Sequence, residues 1–429
     1  RELQHVGLGD DHPSSAITLN SIGNVLKSQG KLDEAREHYE QALDIKVDTL
    51  GEYHPSTAIS LCDKADLLKI QGNLKESLKI YEKAIAIDLT ALGENHPHTV
   101  MTYENMAEVY DSLNLFDKAK DIYQKSLAIK VDVFGKDHVS TATSYSYVGD
   151  ALRNQGNYEE ARKMYDKTLK IQTSKLGENH PDVAITSNNI GLVLESQGSM
   201  AEAMTMYQRS LEIQRKAPDI GENHPETAIT YNHIGDIYRN QDKPDLGEAM
   251  KTYRKAVEIN RLVKKEDHPH TATTYSNIGL VLLHQQDKDK LEEALEMFEK
   301  ALTIQQSSLG KDHADVGITL NHIGDVLKQR GNEGDLDKAM GMYQQSCDIC
   351  LKEFGEDHPH TAICYGSIGD VLAAQGDYRE AAKMHYKNLI VKSKMLGKYH
   401  PSTAVAHSKL ANAVRHQGNL EDLEEAMKH

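Results

Sequence analysis

The side chains best suited to chemistry in this 429-residue chain are its 22 histidines and four cysteines. The histidines gather in segments such as LGENHPHT (residues 92–99), where two imidazoles flank a proline and an acid stands just upstream. Such a set could ligate a metal or act as a general acid–base pair. Cys347-Asp-Ile-Cys350, with His358, His360 and Cys364 close behind in sequence, reads like a zinc or redox pair.

Repetition decides against both. LGENHPDV recurs at 176–183, IGENHPET at 220–227 and FGEDHPHT at 354–361, with degenerate copies between. The marker histidines are His12, His54, His96, His138, His180, His224, His268, His313, His358 and His400, spaced 42, 42, 42, 42, 44, 44, 45, 45 and 42 residues apart. Catalysis needs one unlike constellation, not ten similar segments. Successive segments stand a helix pair apart, up to two steps of about 8–10 Å, whereas zinc ligands lie about 2 Å from the ion. Within one segment, pairs such as His96 and His98 offer only two nitrogens. Cys347 occupies the place of Leu43, Leu127, Leu169 and Leu211, and Cys364 that of Thr18, Thr102 and Thr230, so both read as small core residues. No catalytic residue, metal or cofactor is expected, and no Walker-type or other enzyme signature occurs within 1–429.

The unit that carries the segment is a pair of helices. In repeat 5, Val183, Ile185, Ile190, Val193 and Leu194 recur at helical spacing and predict helix A, with one buried face. Gly198 follows it, and Ala203, Tyr207, Leu211 and Ile213 continue the period in helix B. The His-Pro segment is then a joint: glycine stops helix B and proline takes the first position of the next helix A. Proline keeps the histidine before it out of helical conformation. The chain reads as a single array, residues 1–429, with repeats starting near 12, 54, 96, 138, 180, 224, 268, 313, 358 and 400, and the end of a preceding helix B at 1–9.

Glycine in helix A (Gly23, Gly149, Gly191, Gly235, Gly279, Gly324, Gly369), alanine early in helix B (Ala35, Ala119, Ala161, Ala203, Ala381) and tyrosine four later (Tyr39, Tyr123, Tyr165, Tyr207) resemble tetratricopeptide repeats. The 42-residue length and the pattern LGxxHPxTA…NNIGxVLxxQGxYxEA…YxxALxI resemble the kinesin-light-chain and nephrocystin subtype. The resemblance implies an all-α, right-handed superhelical solenoid whose concave wall of A helices holds extended or helical peptide segments of partner proteins. It implies a non-enzymatic interaction scaffold. The alternatives are the sensor or adaptor region of a larger signalling or NTPase-containing protein, and a kinesin-light-chain-like cargo adaptor.

The family turns toward its groove the residues 8, 9, 12, 15 and 16 after the joint histidine. Positions 8 and 9 hold an asparagine series, Asn20, Asn105, Asn188, Asn189, Asn232, Asn277 and Asn321, able to donate to and accept from a ligand's peptide groups or, equally, the next repeat. Position 12 holds acids in most repeats, and Asp66–Lys69, Asp150–Arg153, Asp236–Arg239 and Asp325–Lys328 are pairs three residues apart, neutralising one another. The asparagines together with Glu108, Asp150, Asp236, Arg239, Asp325, Lys328 and Asp370 are the expected peptide-binding groove. Glu104, Glu108 and Asp111 in repeat 3, beside Asp63 and Asp66, form a candidate acidic patch for a basic segment. Residues five after the histidine are apolar or threonine (Ile17, Ile59, Met101, Thr143, Ile185 and onward), leaving no basic clamp for a C-terminal carboxylate.

Repeats 6 to 8 lengthen the turn between helices A and B (239–249, 283–294, 328–339), as does the last (415–426), and insertions aligned on one edge suit a second contact surface. The joint KAPDIGENHP gains two residues including Pro218, which predicts a bend or offset there. A net charge of −16 argues against nucleic acid and for neutral or basic polypeptide partners. No apolar run approaches membrane-helix length, no charged-then-apolar leader opens the chain and the few cysteines build no disulfide framework, so a cytoplasmic location off the membrane is expected. The opening arginine is expected to mark a fragment of a longer chain.

Overall fold

A computed structural model describes residues 12–29, 31–217, 220–263, 267–285, 287–398 and 400–417. The helix B remnant expected at 1–9 lies outside them, as does most of the lengthened turn at 415–426. The described residues hold nineteen α-helices and no strand, an all-α repeat solenoid. They alternate as expected: A and B helices are Pro13–Ser28 and Leu32–Leu50 in repeat 1, Pro55–Ile70 and Leu74–Ala91 in repeat 2, Pro97–Ser112 and Phe116–Phe134 in repeat 3. The same alternation runs to Pro401–Gln417, the A helix of repeat 10. By contacts the chain forms two compact units, Arg1–Pro218 and Asp219–His429, parted within the stretched joint. Both are built from the same repeat, and each is described on its own.

Inside each unit an A helix packs on its own B helix, that B helix on the next A helix, and successive A helices touch. The glycine of helix A fixes how close the pair can come. A Cβ built on Gly191 would stand 2.4 Å from the Tyr207 ring, and one on Gly235 2.5 Å from Tyr253. Phe298 and His385 fill the ring's place opposite Gly279 and Gly369. Repeats 2 and 3 carry Ala65 and Ala107 at the glycine position, yet Tyr81 and Tyr123 remain buried. Lys64, a charge at an otherwise apolar position of repeat 2, reaches out to Glu40 at 2.8 Å.

The joints are closed by hydrogen bonds among their own residues. Gly51 ends a B helix at φ 94°, a conformation side chains disfavour, and Thr57 donates its hydroxyl to the Gly51 carbonyl at 2.9 Å. Equivalent bonds join Thr99 to Gly93, Thr141 to Gly135, Thr227 to Gly221, Thr361 to Gly355 and Thr403 to Gly397. The histidine supplies more than its backbone. In all ten joints its Nδ1 accepts the backbone N–H two residues on, from 3.1 Å at Ser14 and Ser56 to 3.3 Å at His270. It is the N-cap of helix A, a role usually taken by Ser, Thr, Asp or Asn.

Candidate functional site

The A helices present the position-5 side chains to solvent. Ile17, Ile59, Met101 and Ile185 of unit 1 are 63%, 43%, 45% and 44% exposed, and Ile363 and Val405 of unit 2 are 45% and 53%. Thr143 and Thr273 continue the row as exposed hydroxyls. Position 12 lies 700° further round at 100° per residue, 20° short of two full turns, so it shares this face. Ile185 is therefore no part of the buried stripe that helical spacing alone assigns it to, whereas Val183, Ile190, Val193 and Leu194 are buried as expected. An exposed aliphatic row at one register is the feature that the apolar pattern hid: period reports which residues align and not which side is covered.

The asparagines at position 8 face sideways. Asn20 Nδ2 donates to Ser60 Oγ at 3.0 Å and to Asp63 Oδ2 at 2.8 Å in the next repeat. Asn232 donates to Thr274 at 2.7 Å, and Asn321 to the Cys364 sulfur at 3.9 Å. Asn188, at the same position, is equally buried. At position 9, Asn277 is buried and accepts from Arg239 at 3.0 Å, while Asn105 and Asn189 keep part of their surface open. The series mainly ties each A helix to its successor.

The position-12 residues of repeats 1, 2, 4, 6 and 8 meet the tyrosine of their own helix B. Tyr39 donates to Asn24 at 2.7 Å, Tyr165 to Asp150 at 2.7 Å, Tyr253 to Asp236 at 2.7 Å and Tyr343 to Asp325 at 2.7 Å; Tyr81 donates to Asp66. The four expected acid–base pairs form, at 3.8 Å for Asp66–Lys69 and Asp150–Arg153, 3.0 Å for Asp236–Arg239 and 3.9 Å for Asp325–Lys328. Two bases also reach on to the next repeat, Lys69 to Glu108 at 2.6 Å and Lys328 to Asp370 at 3.3 Å. Burial raises Asp150 and Asp236 above the usual carboxylate range against the pull of their tyrosine and arginine partners. Burial also lifts Asp370, but the Lys409 hydrogen bond and the charges of Lys409, Lys328 and His385 outweigh it and hold it low.

The five acids of the candidate patch part company. Glu104 is buried and takes bonds from Ser126, Ser144 and Lys130 at 2.5, 2.8 and 2.7 Å, so it is an internal anchor. Asp66 and Glu108 share Lys69. Asp63 is pushed up to about 6 by burial, partly offset by Lys27. Asp111 is pushed up to about 6 by burial and by Asp150, against hydrogen bonds from Tyr123 and Asn154. Of the five, Glu104 alone is buried, while Asp63, Asp66, Glu108 and Asp111 keep part of their surface open.

Cys347, Cys350 and Cys364 are buried and unoxidised, with the Cys350 and Cys364 sulfurs 4.0 Å apart. Cys364 serves as acceptor for Asn321 in the slot where Thr274 serves Asn232. Among the described residues no three His, Cys, Asp or Glu side chains gather as a metal site requires, and no helix is long and apolar enough to cross a membrane.

The lengthened turn of repeat 8 is held by an ion pair. Arg330 grips Asp335 through two nitrogens at 2.8 Å each and reaches Glu292 of the preceding turn at 3.0 Å. It stands 17 residues after His313, where Gln155, Gln197 and Gln375 bond Asp117, Glu159 and Asp337 of the preceding B helix at 2.8, 2.8 and 2.9 Å. This glutamine row also escaped sequence reasoning.

Comparison with known proteins gives a family. The tetratricopeptide repeat model matches residues 1–48, 14–90, 56–130, 132–216, 226–290, 284–334 and 332–389. No curated protein matches the chain. Among solved structures, the apo form of RapI aligns at TM-score 0.50 with 17% identity over 69% of this chain and 98% of that one. BtubC (BKLC) from P. vanneervenii aligns at 0.44 with 19% identity over 55% and 90%. A tetratricopeptide repeat protein from Parabacteroides merdae aligns at 0.46 with 18% identity over 73% and 99%. The repeated helix pair, its glycine–tyrosine crossing and the match of the family model over most of the chain agree: the chain belongs to the tetratricopeptide repeat family.

Proposed function

We propose that this chain is a non-catalytic scaffold that holds polypeptide segments of partner proteins on the open face of its A helices. The observation that carries the reading is the row of exposed aliphatic side chains at one register in six of the ten repeats, at Ile17, Ile59, Met101 and Ile185 in unit 1 and again at Ile363 and Val405 in unit 2. Exposed apolar area held at a fixed register mostly marks a contact surface, because a soluble face without a partner gains nothing from it. Beside the row, Asn105, Asn189, Glu108, Asp150, Asp236, Arg239, Asp325, Lys328 and Asp370 supply polar contacts, while Asn20, Asn232, Asn277 and Asn321 keep the A helices in register beneath them and Asn188 is buried at the same position. Proteins of this family are generally interaction scaffolds, which supports the reading.

An affinity pull-down with the full chain tests it against a variant carrying serine at Ile17, Ile59, Met101 and Ile185. Partners captured by the parent should be lost from the variant at equal folded content by circular dichroism. The same partners returning undiminished would move the binding surface to the B helices or the lengthened turns.

A further inference from the structure

The exposed face of unit 1 also constrains the form its ligand takes. Touching A helices stand about 8–10 Å apart, so Ile17, Ile59 and Met101 make an aliphatic ladder with rungs at about that spacing. A β-strand repeats a side-chain direction every two residues, about 6.6 Å, and misses the rungs. A polyproline-II segment repeats every three residues, about 9.3 Å, and an α-helix presents the same stripe every seven, about 10.5 Å. Both match in length, so the backbone decides between them. A polyproline-II chain has no internal hydrogen bonds, and laying it on apolar rungs covers peptide groups that then need partners. The amides that could serve are committed: Asn20 is held by Ser60 and Asp63, and Ser60 also receives Lys46 at 2.7 Å. Asn24, Asn105 and Asn189 are left with open surface, one each in repeats 1, 3 and 5, far too sparse for a peptide group every 3 Å or so.

We infer that the ligand of this face is a basic amphipathic α-helix, which brings its backbone bonds with it and lays an apolar stripe across Ile17, Ile59 and Met101. The inference rests on the open-face reading above and specifies its partner. Two rungs' distance, about 20 Å, corresponds to about 14 helical residues. The basic character follows from the borders of the ladder, where the five acids Asp63, Asp66, Glu108, Asp111 and Asp150 outnumber the four bases Lys27, Lys46, Lys69 and Arg153. Lysines flanking the stripe would meet this surplus of acid.

The probe is a dye-labelled, end-capped peptide of about 18 residues, with leucine at heptad positions a and d and lysine and glutamine elsewhere. Its control has the same leucines and lysines but two central prolines, which forbid a helix. Anisotropy with the full chain should show the helical peptide binding at least tenfold more tightly than its control. Ile59→Ser with Met101→Ser should weaken it by about tenfold or more, as loss of two aliphatic contacts implies. Serine leaves the charge unchanged, so simple attraction to an acidic protein would not follow that substitution. Should the pair of serines disturb folding, Ile59→Thr alone gives the same test at smaller amplitude. Equal binding of the proline peptide would overturn the helical ligand and leave the open-face reading standing. Helical binding indifferent to the serines would overturn both. No binding of either peptide would overturn the helical ligand alone, since the pull-down judges the face by itself.

Discussion

Replacing Gly191 by alanine sets two known effects against each other on one atom. Alanine in a helix is favoured over glycine by about 0.8–1.0 kcal/mol. The added Cβ would stand 2.4 Å from Tyr207 Cε1 and 2.8 Å from Cδ1 and Cζ, about 1 Å inside ordinary contact. Tyr207 is fully buried and its hydroxyl donates to Glu195 at 3.0 Å, so the ring cannot retreat freely. Overpacking of this kind costs about 1–3 kcal/mol, and the net expectation is a loss of up to about 2 kcal/mol after the helix gain. The loss should be smaller for Gly149→Ala, whose nearest ring atom lies at 2.8 Å. The sign should reverse for Gly191→Ala in a Tyr207→Leu background, where no ring remains to strike. Repeat arrays need not unfold in one step. Hydrogen exchange of Pro181–Ser196 and Met200–Lys216, read beside urea denaturation, is therefore the measurement. If Gly191→Ala alone proved stabilising, or if the leucine background left the sign unchanged, the glycine–tyrosine contact would not be what sets the helix pair's closeness.

Other consequences are as direct. His180→Ala removes an N-cap and should cost about 1 kcal/mol locally, with His180→Asn recovering most of it by exchange protection of Pro181–Ser196. Burial lowers His322 and His385 below the ordinary imidazole value, so the stability they contribute is present above pH about 6.5 and falls as pH drops through their folded values. Asp63 and Asp111 act in the opposite sense. Their contribution is full below about pH 4 and is lost as pH rises through about 6, so Asp63→Asn should flatten the pH dependence of unit 1 in thermal melts between pH 4 and 7. Arg330→Ala removes two charged hydrogen bonds from Asp335, which keeps only the Asn332 N–H, and should cost about 1.5–3 kcal/mol, with exchange rising first in 328–339.

The repeat was legible because its punctuation is covalent: proline fixes a backbone angle and glycine permits one, and each acts wherever it stands. Helix boundaries such as Pro55–Ile70 and Pro181–Ser196 follow from that. The site was less legible, since it depends on which way a side chain turns. An asparagine at position 8 could equally have met a ligand, and only the placement of Ser60 and Thr274 opposite Asn20 and Asn232 decides the matter. Ile185 and Ile190 look alike in a pattern of apolar residues, but one is 44% exposed and the other fully covered. The cap formed by each joint histidine stayed hidden because imidazole is seldom used for it, although its recurrence beside proline was in view.

The joints carry a further consequence for how such a chain can change length. In six of them a threonine satisfies the glycine carbonyl, and in all ten the histidine Nδ1 and a free N–H of the next helix satisfy each other, without help from beyond a few residues on either side. Cutting out a stretch from one marker histidine to the next therefore leaves the same atoms on both sides of the seam, and the splice finds its bonds already matched. Gene duplication and loss of whole units need no repair at the junction, so the number of rungs offered to a ligand can drift from one descendant to another while the manner of folding stays fixed.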